Sequence, residues 1–325
     1  MKELISELKS KNIFLSVDKE ELVIDFDGDN LSHDLISKIK DNKLALINYL
    51  GKYHNDRKYT EIPVLSLNNH YSISDAQRRL WILSQYEGAS AAYNMMVSIT
   101  LEGKYKLALF EKSFDNLIDR HEILRTVFKE DESGEIRQWI LEREDLGFTI
   151  DYQDFREEAD KKEKVEAYIT ADSHQVFDLE KGPLLRAALL QVEEEEYWFY
   201  FNIHHIISDG WSMEVLTKDI FKYYVACREG KEPDMEELRI QYKDYSAWQL
   251  TQLNQESFKA HGEYWLDKLS GELPLLELPS SKQRPKLKTY KGHSLGAYLD
   301  KATTAKLKGY VQENGGSLFM GLLAS

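Results

Sequence analysis

Across residues 1–52 the apolar positions change period several times. Leu4, Ile5 and Leu8 share one face of a helix over residues 1–11. Ile13 to Val17 and Leu22 to Phe26 are short apolar runs separated by the charged Asp18, Lys19, Glu20 and Glu21, a pattern that predicts a hairpin. Asp27-Gly28-Asp29-Asn30 is a turn. Two helices follow, one carrying Leu31, Leu35, Ile36 and Ile39 and the next Leu44, Leu46, Ile47 and Leu50 on its apolar face. The order is αββαα. A unit this short buries little core, so a partner or a second copy would add stability. Gly51 to Lys58 is polar and reads as a linker, within an entry segment over residues 53–69 that includes Pro63.

From residue 70 to 325 helical and extended periods alternate, as in an α/β fold. Ser74 and Gln77 form a capping box, and the helix it opens is expected to turn Ala76, Leu80, Leu83 and Trp81 inward. Met96 to Leu101 predicts a strand. Leu107 to Arg120 predicts a helix burying Leu109, Phe110, Phe114 and Leu117. Thr126 to Phe128 and Gln138 to Leu141 read as strands, and Lys161 to Thr170 as a helix. Glu193 to Glu196 is expected to tip a hairpin between Leu189–Val192 and the apolar run Tyr197–Ile203, the best candidate for a central strand. A helix over Met213 to Arg228 follows.

Composition narrows the class. The chain has 325 residues, 42% hydrophobic, enough for one large domain or two smaller ones. A net charge of -14 argues against nucleic-acid binding, which needs a basic face. The single cysteine, Cys227, excludes an internal disulfide and a cysteine metal cluster. Lys2, Glu3 and Glu7 interrupt any signal-peptide core, and no run reaches the roughly 18 apolar residues of a membrane span. The expectation is a cytoplasmic protein with neither nucleic acid nor membrane as partner.

The chemistry concentrates where the Tyr197 strand runs into His204-His205-Ile206-Ile207-Ser208-Asp209-Gly210. Side chains alternate along a strand, so His205 shares a face with Phe199, Phe201 and Ile203, and His204 with Trp198, Tyr200 and Asn202. Only one of the two can serve a given cleft. A histidine aimed into a cleft suits general-base work or acceptance of a hydrogen bond from an amine. Asp209 precedes a helix start, where a carboxylate is favoured, and Gly210 permits a tight turn and close approach. The residues alone favour a pair that ends a buried strand, with Asp209 as a cap. Zinc would need a third ligand, and Ser208 lacks the glycines of a nucleophile elbow. No metal site is expected.

The segment resembles the His-His-x-x-x-Asp-Gly signature of the condensation domains of nonribosomal peptide synthetases, within the chloramphenicol-acetyltransferase-like superfamily. Four further stretches resemble that family's motifs in order: Ser74 to Trp81, Arg120 to Thr126, Tyr242 to Trp248, and Leu278 to Pro285. The resemblance implies the N-terminal lobe of a two-lobed α/β fold over residues 70–325, with the second lobe begun at Leu318–Ser325 and incomplete. It implies peptide-bond formation between an upstream carrier thioester and the amine of a downstream aminoacyl carrier. The phosphopantetheine belongs to those carrier domains, and no cofactor is expected on this chain.

In that family His205 works at the reacting amine, His204 is the more structural member, and Asp209 is paired with an arginine. Arg284 is the first candidate for that pair, followed by Arg125 and Arg120. Gly210 lines the acceptor approach, and Trp211 and Ser212 complete a match to the amide-forming type. The alternatives are a coenzyme A-dependent acyltransferase of the same superfamily and a docking adaptor without catalysis.

Residues 1–52 resemble the N-terminal docking domains of the tubulysin-synthetase type, which receive the C-terminal tail of the preceding synthetase. Leu22, Val23, Ile24, Asp25, Phe26 and Asp27 are the expected tail-binding residues, by strand addition. The acidic side chains around them predict a basic tail, and the unit is a candidate dimer. A chain carrying half of the condensation fold is expected to bind a docking partner without condensing substrates alone.

Overall fold

The computed structural model describes residues 4, 5, 8, 13–18, 21–26, 33–55, 61–86, 90–274 and 296–324. It divides into two units, residues 1–61 with 292–325, and residues 62–291. In the first, β1 (Ile13–Asp18) and β2 (Glu21–Phe26) pair antiparallel from Asp18↔Glu21 to Ile13↔Phe26. Helices α1 (His33–Asp41) and α2 (Lys43–Asn55) follow. Leu8, Ile13, Leu35, Ile39 and Leu46 are buried together, with Leu4, Ile5, Leu15, Leu22 and Ile24 packed around them.

Two expectations change here. Leu44 is exposed, because Leu46 takes the inward position of α2. The helix also continues through Gly51 to Asn55, a stretch whose polar composition suggests a linker; it contains no proline to stop the helix.

The second unit holds two sheets. The larger has the order β4 (Asn94–Glu102), β9 (Glu196–His204), β8 (Leu185–Glu193), β7 (Ile150–Asp154). Its pairs are antiparallel except β7 with β8, which run parallel. The smaller has the order β3 (Tyr71–Ser72), β6 (Ile136–Ile140), β5 (Thr126–Glu130). The alternation read in the sequence is realised on both central strands. Phe199, Phe201 and Ile203 of β9 join Leu185, Ala187 and Leu189 of β8 in the main core, with Phe110 and Phe114 of α4 (Leu107–Arg120). Leu216, Ile220 and Tyr224 of α6 (Gly210–Glu229) lie in the same core. On the opposite face Tyr200, Ala188, Leu190 and Val192 form a separate cluster with Val165 of α5 (Lys161–Ser173), and Trp198 packs against it. The β8–β9 hairpin turns at Glu194 and Glu195.

Helix α3 (Asp75–Ser84) begins with the predicted capping box, but its buried residue is Gln77. Ala76 is exposed, and Leu80 and Trp81 are only partly buried against the core. Gln77 is held inside because its Nε2 finds the Ile206 carbonyl and Gln138 Oε1, both supplied by distant segments. Helices α7 (Tyr242–Leu253) and α8 (Glu256–Lys268) complete this unit. In the other unit α9 (Lys301–Glu313) precedes α10 (Leu318–Ala324), the predicted helix at the chain end. Among the described residues no helix is long and apolar enough to cross a membrane.

Candidate active site

The site forms where β9 gives way to α6. His204 is the last residue of the strand and is fully buried, whereas His205 is exposed. Backbone bonds hold the pair in place: the His204 N–H donates to the Leu184 carbonyl at 3.0 Å, and the His205 N–H to the Tyr93 carbonyl at 2.8 Å. His204 Nδ1 accepts from the Ile206 N–H at 3.1 Å. Its proton therefore sits on Nε2, which has no partner among the described residues. Burial first, and the neighbouring His205 second, push the His204 pKa down to about 4. His204 is a neutral, structural imidazole.

His205 opens on a cleft of about 410 Å³. Ser208, Asp209, Trp211 and Ser212 line the same side, Ala76, Gln77 and Leu80 another, with His121, Ile123, Leu124 and Tyr242 closing it. The lining is mostly apolar, so a hydrogen bond made inside it is less screened than one in water. Trp211, 79% exposed, stands at the rim.

Asp209 caps α6. Its Oδ1 accepts from the Ser212 N–H at 2.8 Å and the Ser212 hydroxyl at 2.6 Å. These bonds hold its carboxyl below the usual carboxylate range. The arginine partner expected for it is not found among the described residues. Arg120 donates to the Glu236 carbonyl at 2.7 Å and lies 3.4 Å from Asp219. Arg125 donates to the Leu141 carbonyl and lies 3.9 Å from Glu122. Both guanidinium groups are thus engaged elsewhere, and Asp209 is satisfied locally. Arg284 lies outside the described residues. Gly210 opens a right-handed helix without positive φ, so no tight turn requires a glycine there, and a Cβ would meet open space.

Three of the four other motifs gather near the His loop, and the fourth, Leu278 to Pro285, lies outside the described residues. The Ser74 and Tyr242 hydroxyls are 3.1 Å apart. Gln77 Oε1 accepts from the Ser74 N–H at 2.9 Å, and Gln77 Nε2 donates to the Ile206 carbonyl at 3.4 Å. Gln138 Nε2 joins the Ser72 carbonyl to the Ser246 hydroxyl at 2.7 and 3.2 Å. Lys243 Nζ donates to Glu122 Oε2 at 2.6 Å. Two cleft residues, His121 and Tyr242, are not singled out by the sequence pattern. Their signal lies within the motif stretches Arg120–Thr126 and Tyr242–Trp248.

Among the candidate tail-binding residues, Leu22 and Ile24 face the small core and Val23 faces outward, 43% exposed. Asp25 and Phe26 stand at the end of β2, and Asp27 lies outside the described residues.

A buried and an exposed histidine thus stand side by side at the end of β9, the exposed one on a cleft. The chain matches the Condensation domain family over residues 67–325 and the TubC N-terminal docking domain family over residues 1–51. It belongs to the condensation-domain family, with a docking domain in front. It is 34% identical over 324 residues to bacitracin synthase 2 of Bacillus licheniformis, covering 99% of this chain and 12% of that protein. Malpibaldin synthetase of Mortierella alpina is 36% identical over 270 residues, 83% of this chain and 5% of that one. The chain thus spans a small part of these relatives.

Among solved structures, the starter condensation domain of rhizomide synthetase matches with TM-score 0.58 and 26% identity, over 63% of this chain and 49% of that one. The X-domain from teicoplanin biosynthesis matches with TM-score 0.67 and 25% identity, over 79% and 56%.

Proposed function

We propose that this chain supplies the histidine-bearing lobe of an amide-forming condensation site in a nonribosomal peptide synthetase. The observation that carries the reading is His205, exposed on the cleft one residue past the end of β9, beside the buried His204. The amine of a downstream aminoacyl carrier attacks the thioester carbonyl of an upstream acyl carrier. A C–N bond forms, the C–S bond breaks, and the amine's proton leaves while the phosphopantetheine thiolate gains one. His205 accepts the hydrogen bond that orients the amine and can take its proton. An amine already aligned with a thioester needs little more than positioning. Phosphopantetheine enters only as part of the carrier-borne substrates. On this reading the protein works in the cytoplasm, and its free Cys227 suits a reducing compartment.

The front unit receives the tail of an upstream synthetase. Among the described residues β2 pairs with β1 on one side only, which leaves an edge for an added strand. Asp18, Glu21 and Asp25 on the hairpin favour a basic tail. A core of this size also suits pairing of two docking units.

Titration with acyl-phosphopantetheinyl carrier domains, coenzyme A thioesters and a lysine-rich tail peptide tests the whole reading. Binding of the carriers and the tail is expected, with the tail weakened when Asp25 and Asp27 become Lys. Binding of coenzyme A thioesters alone would point to the free-standing acyltransferase, and binding of the tail alone to a docking adaptor.

A further inference from the structure

His121 lies in the cleft of His205, yet it belongs to a different element and is held by its own carboxylate. It follows the last turn of α4, where its N–H donates to the Leu117 carbonyl at 2.9 Å. Its Nε2 meets Asp219 Oδ2, a buried carboxylate of α6, at 2.9 Å. Arg120 lies 3.4 Å from the same oxygen, a pairing that makes this carboxylate the acceptor of the bond. Nε2 is therefore the protonated nitrogen, and Nδ1 carries the free lone pair. Nδ1 has no protein partner among the described residues. It is also not sealed in the interior, as the orphaned atoms of Trp198, Trp248 and His204 are.

Burial lowers the His121 pKa against the opposing pull of Asp219, so the ring is neutral near pH 7. Leu80, Ile123 and Leu124 line the same cleft and bring no polar side chain to it. A histidine that merely stapled α4 to α6 would have no need to line the cleft.

We propose that His121, keyed by Asp219, is a second hydrogen-bond acceptor of the site, and that it takes an N–H of the acceptor's α-amino group through Nδ1. This rests on the condensation reading above. An α-amine carries several N–H donors, and an apolar cleft satisfies them only where acceptors are placed in advance. His205 and His121 provide such acceptors from different elements of the fold, which would restrict the orientation of the amine as well as its position.

The test uses this protein with histidine labelled in 15N. The probe is a stable amide analogue of leucyl-pantetheine bearing its free α-amine. The expected result is that the probe moves the Nδ1 resonance of His121 as well as the ring resonances of His205. His121→Gln places an amide nitrogen near the position of Nε2, so the tie to Asp219 survives while the Nδ1 acceptor is lost. It is expected to bind the probe about tenfold more weakly, the loss of one hydrogen bond. His121→Asn does the reverse, keeping a polar group near Nδ1 and losing the tie.

A shift at His205 alone, with His121→Gln binding as tightly as wild type, would overturn the inference and leave the condensation reading standing. No shift at either histidine would sink both. If His121→Gln fails to fold, the wild-type resonances alone decide the question.

Discussion

The hydroxyls of Ser74 and Tyr242 lie 3.1 Å apart although 168 residues separate them in the chain. This contact ties the capping box of α3 to the first turn of α7, and Gln77 extends the tie to the Ile206 carbonyl beside the histidines. Gln77→Leu leaves the buried Ser74 N–H and Ile206 carbonyl without these partners. A loss of about 2 kcal/mol or more is expected in urea unfolding, with weaker binding of the aminoacyl carrier because the His loop loses its brace. Ser74→Ala and Tyr242→Phe should couple by about 1 kcal/mol in a double-mutant cycle, and additivity would show that the contact does not contribute.

The two histidines should separate cleanly by phenotype. His205→Ala removes an exposed side chain whose backbone is held independently, so its unfolding midpoint should match wild type. In a protein that also carries the second lobe, its condensation rate should fall by about 100-fold or more if the imidazole takes the amine's proton, and by less if it only positions the amine. His204→Ala orphans the Ile206 N–H inside the core. It should cost about 1–3 kcal/mol, visible in denaturant unfolding before any kinetics are measured.

His204 also predicts how stability responds to acid. Its folded pKa, about 4, lies below the ordinary imidazole value of 6.5, so the unfolded chain binds its proton first as pH falls. Its stabilising contribution is complete above pH 6.5, declines between 6.5 and 4, and is gone below that. The full span is about 3 kcal/mol, taken at 1.4 kcal/mol per pKa unit. His121 acts in the same direction. His204→Asn keeps an acceptor for Ile206 without titrating. Unfolding free energies measured at several pH values should converge toward those of wild type in acid, and parallel curves would refute the assignment.

Asp209 and Gly210 yield a contrast that an arginine-paired aspartate would not show. Asp209→Asn retains an oxygen for the Ser212 N–H and should be nearly silent in stability, whereas Asp209→Ala should cost about 1 kcal/mol as a lost helix cap. Gly210→Ala meets no atom and should leave the unfolding free energy within about 0.5 kcal/mol of wild type. Any weakening of aminoacyl-carrier binding by that variant then reports substrate passing close to the backbone.

The alternation over residues 198–203 is legible in the sequence because a central strand exposes it directly: Phe199, Phe201 and Ile203 face one core, and Trp198 and Tyr200 the other. His205, past the strand end, leaves that face and is exposed. The burial of Gln77 is not legible. A capping box has the same spacing whether its glutamine faces solvent or the interior, and here Gln138 and Ile206, far away in sequence, settle the matter. The same limit hides the true partners of Arg120 and Arg125, since ion pairs such as Arg120 with Asp219 join segments that no local pattern connects. In the chain His121 is one more polar residue of the charged run Arg120-His121-Glu122; only the packing of α6 brings Asp219 beside it.

The loop that carries His205 is held by main-chain bonds to Tyr93 and Leu184, by His204 and by the Asp209 cap. None of these uses the His205 side chain. Position 205 is therefore a socket: an evolving or engineered lineage could exchange the chemistry presented there without rebuilding the framework that aims it.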